Sequence, residues 1–214
     1  MSTILVLDSA ATGEASVSKA LVREAVAALT DGTDTRVIYR DLGNDPLPHL
    51  TGATLAGVRG EPVTETERET RALSDALLTE LKAADTIVIG APMYNFSIAT
   101  TLRSWFDHVL RAGETFRYTD KGPQGLLGGK RVLVVESRGG IYSQGPAQAL
   151  DFQEPYLRHL LGFMGLTDVS FVHAEKIGYG SDARMTASSV VAFIFTIPKH
   201  SLVITGKDAN TPKP

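Results

Sequence analysis

Thr86-Ile87-Val88-Ile89 is an unbroken apolar run, and beyond Gly90-Ala91-Pro92 the chain continues as Met93-Tyr94-Asn95-Phe96. A short β-branched run without polar alternation marks a strand covered on both faces, as happens where helices flank a parallel sheet. Ile4-Leu5-Val6-Leu7 and Val132-Leu133-Val134-Val135 are runs of the same kind, and each also leads into a polar loop, Ser16-Val17-Ser18 and Ser137-Arg138-Gly139-Gly140. In an open parallel sheet the carboxyl ends of the strands share one edge, so the three loops are expected to converge on one crevice.

Working outward, residues 35–39 and 168–173 read as two more strands, and helical spacing follows the first, third and fourth strands: Leu21, Ala25, Ala28 and Leu29; residues 97–110; residues 150–165. Thr64-Glu65-Thr66-Glu67 has the spacing of a capping box and opens a helix whose apolar stripe is Leu73, Leu77 and Leu81. Residues 41–50 are turn-rich, and residues 113–129 form a long glycine-containing excursion before the fourth strand. Alternating β and α units predict the α/β class: a three-layer sandwich around a five-stranded parallel sheet in the flavodoxin-like order 2-1-3-4-5.

The bulk composition excludes much. With 214 residues, 43% of them hydrophobic, the chain has enough apolar material for one substantial core. It has no cysteine, hence no thiolate nucleophile and no disulfide or Cys-ligated metal, so redox chemistry here requires a cofactor. A net charge of −3 without a basic run argues against a nucleic-acid partner, and no segment reaches membrane-span length, so a cytoplasmic protein without membrane attachment is expected. His49, His108, His159, His173 and His200 show no metal-ligand spacing, and no metal is expected.

Each loop suggests part of a site. Residues 9–18 join the first strand to the first helix, where free backbone N–H groups and the helix dipole favour an anion; Ser16 and Ser18 would add hydroxyls, although one serine could simply cap the helix. Met93, Tyr94, Asn95 and Phe96 combine flat or polarizable groups with one amide, which suits an edge and a face of a planar ring, or else an aromatic core turn. Gly139 and Gly140 let backbone approach such a ring, with Ser137 beside them; Arg138 is read either as part of that edge or as a solvated charge. Two nucleotide signatures are excluded. The stretch at residues 125–130 lacks the hydroxyl residue of a P-loop, because Arg131 stands there, and no Gly-x-Gly-x-x-Gly follows the first strand.

Ala91-Pro92-Met93-Tyr94-Asn95-Phe96, Arg111-Ala112-Gly113, Thr115-Phe116-Arg117-Tyr118-Thr119, Ser137-Arg138-Gly139-Gly140-Ile141 and Leu161-Gly162-Phe163 occur in an order and at spacings that resemble the FMN-dependent NADH azoreductases, also described as FMN-dependent NADH:quinone oxidoreductases. The resemblance extends to about Ile177 and implies a flavodoxin-like fold, a bound FMN, NADH as electron donor and quinones or azo compounds as acceptors in a ping-pong cycle. It also implies a homodimer. On this likeness Ser16, Val17 and Ser18 hold the phosphate and ribityl end, with Ser9 a further cofactor-binding candidate that points elsewhere if the family's register is kept, Met93 to Phe96 one side of the isoalloxazine, and Ser137, Arg138, Gly139 and Gly140 its pyrimidine edge. Arg59, Tyr118 and Phe163 become candidates for the substrate side, against ordinary alternatives of a solvated arginine and two packed aromatics. No catalytic acid or base is obligatory, since the chemistry belongs to the flavin.

The chain departs from the family pattern in two places. Ala10 stands where a serine is usual, and residues 185–214 form an atypical C-terminal segment after a domain of residues 1–184, being rich in β-branched and aromatic residues and ending in Thr211-Pro212-Lys213-Pro214. A flavodoxin-type electron carrier and a flavin-free interaction protein therefore remain as alternatives to the enzyme.

Overall fold

In the computed structural model, residues 1–179 and 202–205 are described. Strands β1 (Ser2–Asp8), β2 (Thr35–Asp41), β3 (Thr86–Pro92), β6 (Arg131–Ser137) and β7 (Asp168–Glu175) form the main sheet in the spatial order β2-β1-β3-β6-β7, the expected 2-1-3-4-5. All of these pairings are parallel. A sixth strand, β8 (Leu202–Thr205), lies parallel to β7 and extends the sheet at that edge. The boundary expected after residue 184, and the rest of the atypical segment at 185–214, lie outside the described residues.

Period-two alternation sorts each central strand onto two cores. Leu5 and Leu7 of β1, Ile87 and Ile89 of β3, and Val132 and Val134 of β6 face one core, closed by Leu77 and Leu81 of α3 (Glu65–Ala83), Trp105 and Phe106 of α4 (Thr100–Val109) and Leu157 and Leu161 of α5 (Glu154–Phe163). The intervening Ile4, Val6, Val88, Leu133 and Val135 face the other, under Leu21, Val22 and Ala25 of α1 (Val17–Thr30). This double burial is why the strands carry no polar alternation.

The capping box is present: Thr64 Oγ1 accepts the Glu67 amide at 3.2 Å while the Glu67 carboxylate accepts the Thr64 amide at 2.8 Å. Two elements depart from the sequence expectation. A one-turn helix α2 (Leu55–Arg59) precedes the cap, and the excursion at 113–129 contains an antiparallel hairpin of β4 (Phe116–Thr119) and β5 (Gly122–Gly125). Gly125 anchors that hairpin to the end of α5, because a Cβ there would lie 2.0 Å from the Gly165 nitrogen.

Candidate flavin site

The three loops do meet. At the carboxyl edge of the sheet a cavity of about 360 Å³ is lined by Thr12, Ala15, Ser16 and Val17 from the first loop, Pro92, Met93 and Tyr94 from the second, Ser137 and Gly139 from the third, and Ile177 and Gly178 after β7. None of these side chains carries a formal charge.

Its first wall is the start of α1. Ser16 is the N-cap and accepts the Lys19 amide at 3.2 Å, which leaves the Val17 and Ser18 amides at the positive end of the helix without an intrahelical acceptor. The Ser18 hydroxyl is buried beneath Ser16, with the two oxygens 3.1 Å apart. Lys19 adds no charge to this wall, since its ammonium turns to Asp41 at 2.6 Å and Glu14 at 3.3 Å. Ser9 is also turned inward: its hydroxyl donates to the Gly90 carbonyl at 2.7 Å and ties β1 to β3. Ala10, next to it, is buried.

The second wall is held in an unusual backbone shape. Asn95 and Phe96 both have positive φ, 47° and 71°, a region that costs non-glycine residues energy and tends to persist at functional sites. The Tyr94 hydroxyl accepts the Ala11 amide at 3.0 Å, and the Met93 amide donates to the Ser137 carbonyl at 2.8 Å, so all three loops are cross-linked. Asn95 and Phe96 are exposed beyond the cavity rather than among its lining residues.

The third wall contains the largest departure from expectation. Arg138, read as an edge group or a solvated charge, has a fully buried side chain that takes neither place. It bonds Glu136, and it reaches Asp151 at 3.0 Å, Glu175 at 3.3 Å and Gln153 at 3.2 Å. His173 stands among the same groups, its Nε2 2.7 Å from Glu154 and 3.0 Å from Glu136; neither contact has hydrogen-bond geometry, so we read them as ionic. Burial disfavours the imidazolium, but Glu136 and Glu154 outweigh it and raise the pKa to about 9. Burial pushes the Glu136 carboxyl up, against the opposing pull of His173 and Arg138. Ligand-type atoms of Glu136, Glu154 and His173 lie within 4.8 Å of one another, yet the Arg138 guanidinium already sits against these carboxylates and supplies the positive charge a metal would bring.

Of the residues expected at the cofactor, Ser16, Val17, Met93, Tyr94, Ser137 and Gly139 line the cavity, whereas Ser9, Ser18, Asn95, Phe96, Gly140 and the Arg138 side chain do not. Thr12, Ala15, Pro92, Ile177 and Gly178 line it without having been foreseen. Ile177 and Gly178 arrive because Lys176, at φ 62°, turns the chain back from β7, a bend with no glycine to announce it. Arg59 and Tyr118 border a second cavity of about 440 Å³ that shares no lining residue with the first. Phe163 lies behind it, its ring centroid 4.6 Å from that of Phe116.

The lining fits FMN. An anion finds amides and a hydroxyl at the helix start, and a ring finds an apolar and aromatic floor. At Gly139 an added Cβ would meet nothing within 4 Å, so open space lies where a planar group would rest on the backbone.

A family pattern described as a flavodoxin-like fold matches residues 2–192. The FMN-dependent NADH:quinone oxidoreductase of Hyphomonas neptunium is 64% identical over 188 residues, 87% of this chain and 90% of the relative. The protein of the same name from Ralstonia nicotianae is 49% identical over 86% of this chain and 90% of its own length. Among solved structures, an azoreductase from Bacillus anthracis superposes with a TM-score of 0.82 at 28% identity, covering 91% of this chain and 98% of that one. This chain belongs to the flavodoxin-like fold family and, within it, to the FMN-dependent NADH:quinone oxidoreductases.

Proposed function

We propose that this chain is an enzyme that passes reducing equivalents from NADH through bound FMN to quinones and azo compounds, in a ping-pong cycle, as a cytoplasmic homodimer. The observation that carries the reading is the crevice itself: a helix start at one end, a Met93–Tyr94 floor, and backbone at Gly139, with no charged side chain in its lining. When bound, FMN supplies the hydride acceptor and the two-electron donor.

The chain's own part is to bind and orient. The Val17 and Ser18 amides with the Ser16 hydroxyl would hold the phosphate as neutral donors at the positive end of the helix. Met93 and Tyr94 would hold the ring, and the Ser137 hydroxyl and the Gly139 backbone would offer polar contacts to its edge. Hydroxyls are the only polar side-chain groups in the lining, which fits proton delivery by water rather than by a fixed acid.

One crevice suggests that donor and acceptor occupy it in turn, which supports the ping-pong order. The aromatic rim supports the homodimer: Phe96 and Phe152 are 45% and 60% exposed, and the Phe152 amide donates to the Phe96 carbonyl at 3.1 Å, which joins them in one patch. In that assembly Arg59 and Tyr118 serve the acceptor side from the second cavity, with Phe163 packed behind it against Phe116. Among the described residues no helix is long and apolar enough to cross a membrane.

The test is anaerobic mixing of FMN-loaded protein with NADH, and separately NADPH, while the flavin band is followed, then steady-state turnover with a benzoquinone. Bleaching by NADH and parallel double-reciprocal lines are expected. A flavin that NADH leaves oxidised overturns the reading; a reducible flavin without quinone turnover makes the chain a carrier.

A further inference from the structure

We propose that Arg138 is the positioning residue of the flavin site: from behind the crevice, its buried guanidinium fixes the third loop and the start of the second in one arrangement, and so sets how the ring edge is held. This rests on the reading of the crevice as an FMN site.

The connections are specific. Arg138 Nε donates to Gln153 Oε1 at 3.2 Å, and Gln153 Nε2 donates to the Ala91 carbonyl at 2.8 Å, just before Pro92 and Met93. Because guanidinium can only donate, the Gln153 oxygen must face Arg138, and the amide nitrogen is thereby directed at Ala91. On its other side Arg138 Nη1 meets Glu175, whose carboxylate also accepts the Tyr142 amide at 2.7 Å, the Ser143 amide at 2.8 Å and the Ser143 hydroxyl at 2.7 Å. One side chain thus links the second loop to the far end of the third, with Ser137 and Gly139 of the crevice lining beside it.

Burial makes the arrangement close to all-or-none. Arg138, Gln153, Glu136 and Glu175 are at most 1% exposed, so losing one partner leaves a desolvated polar group rather than a hydrated one. The carboxylates Glu136, Asp151, Glu154 and Glu175 face Arg138, His173 and Arg158. Nothing in this cluster lines the crevice, so its influence on the flavin passes through the backbone it holds.

Two variants test this. Arg138→Lys keeps the charge but cannot bridge Gln153 and Glu175 together, and Gln153→Leu keeps the volume but cuts the tie to Ala91. For each, FMN affinity is measured on flavin-stripped protein, and hydrogen–deuterium exchange is followed over residues 91–96 and 137–143 without flavin. Each variant is expected to weaken FMN at least about fivefold, the fold-change that corresponds to one ordinary hydrogen bond, and to speed exchange in those loops while the central strands stay protected. If Arg138→Lys does not fold, Gln153→Leu carries the same expectation alone. Folded variants with FMN affinity within about twofold of the parent and unchanged loop exchange overturn the proposal, and so does a lower melting temperature with FMN affinity unchanged, which makes the cluster a core element only. Parent protein that binds no FMN overturns the reading of the crevice, while the exchange data still report whether Arg138 holds the loops.

Discussion

Gly139 shows how far a single residue decides the site. It lines the crevice, and a Cβ built there meets nothing within 4 Å, so a larger side chain would project into the space assigned to the ring without displacing protein atoms. Gly139→Val is expected to lower FMN affinity by at least about tenfold, some 1.4 kcal/mol, with unfolding free energy within about 0.5 kcal/mol of the parent; flavin fluorescence titration and urea unfolding read the two. His173 makes a prediction of opposite kind, about stability and not binding. Its folded pKa of about 9 lies above its ordinary 6.5, so the stabilisation is complete below pH 6.5 and is lost as pH rises through 9. Urea midpoints from pH 6 to 10 are expected to fall more steeply in the parent than in His173→Gln; parallel curves would contradict it. Arg138 could not be placed from sequence, because its partners Gln153 and Glu175 come from elsewhere in the chain; Ser9 does point away from the crevice, as the family register implies, but its partner, the Gly90 carbonyl, is equally remote. A loop residue's chemistry is legible locally, but the direction of its side chain is set by distant contacts.

Two N-caps separate what an element does for the fold from what it does for the site. Ser16 caps α1 at the crevice, and Thr64 caps α3 away from it through a full capping box. Ser16→Ala and Thr64→Ala are each expected to cost about 1 kcal/mol of stability. Only Ser16→Ala is expected to weaken FMN, since only that cap shares its hydroxyl with the crevice. Equal FMN affinities in the two variants would remove the phosphate from the start of α1. Elements were the best-read level in the sequence. The three central strands were plain because both faces are buried, and α3 because capping and stripe agree. The β4–β5 hairpin was hidden for a physical reason: Gly122-Pro123-Gln124-Gly125 has no strand propensity and pairs because it packs on the Met164–Gly165 corner. Helix α2, five residues long, is too short to show a period in the sequence.

At the scale of the molecule, the arrangement of cavities implies a division of labour. The crevice is built within one chain, by loops that the same chain cross-links through Tyr94–Ala11 and Met93–Ser137. The second cavity, with Arg59 and Tyr118, is separate from it in the same chain. If acceptor binding uses both, they must be brought together by a second copy, and the exposed Phe96–Phe152 rim is the surface beside the crevice suited to that contact. Phe152→Asp places a charge on this rim without touching the lining residues. It is expected to yield monomers by light scattering at micromolar concentration, with FMN affinity reduced by less than about threefold and benzoquinone turnover reduced by at least about tenfold. The unequal losses are the informative part. A monomer that turns over quinone at the parental rate would show that each chain serves its acceptor alone, and a dimer that persists would move the subunit boundary away from Phe152. Equal losses of flavin and turnover would instead mean that the partner helps to build the crevice, contrary to the cross-linking of its loops within one chain.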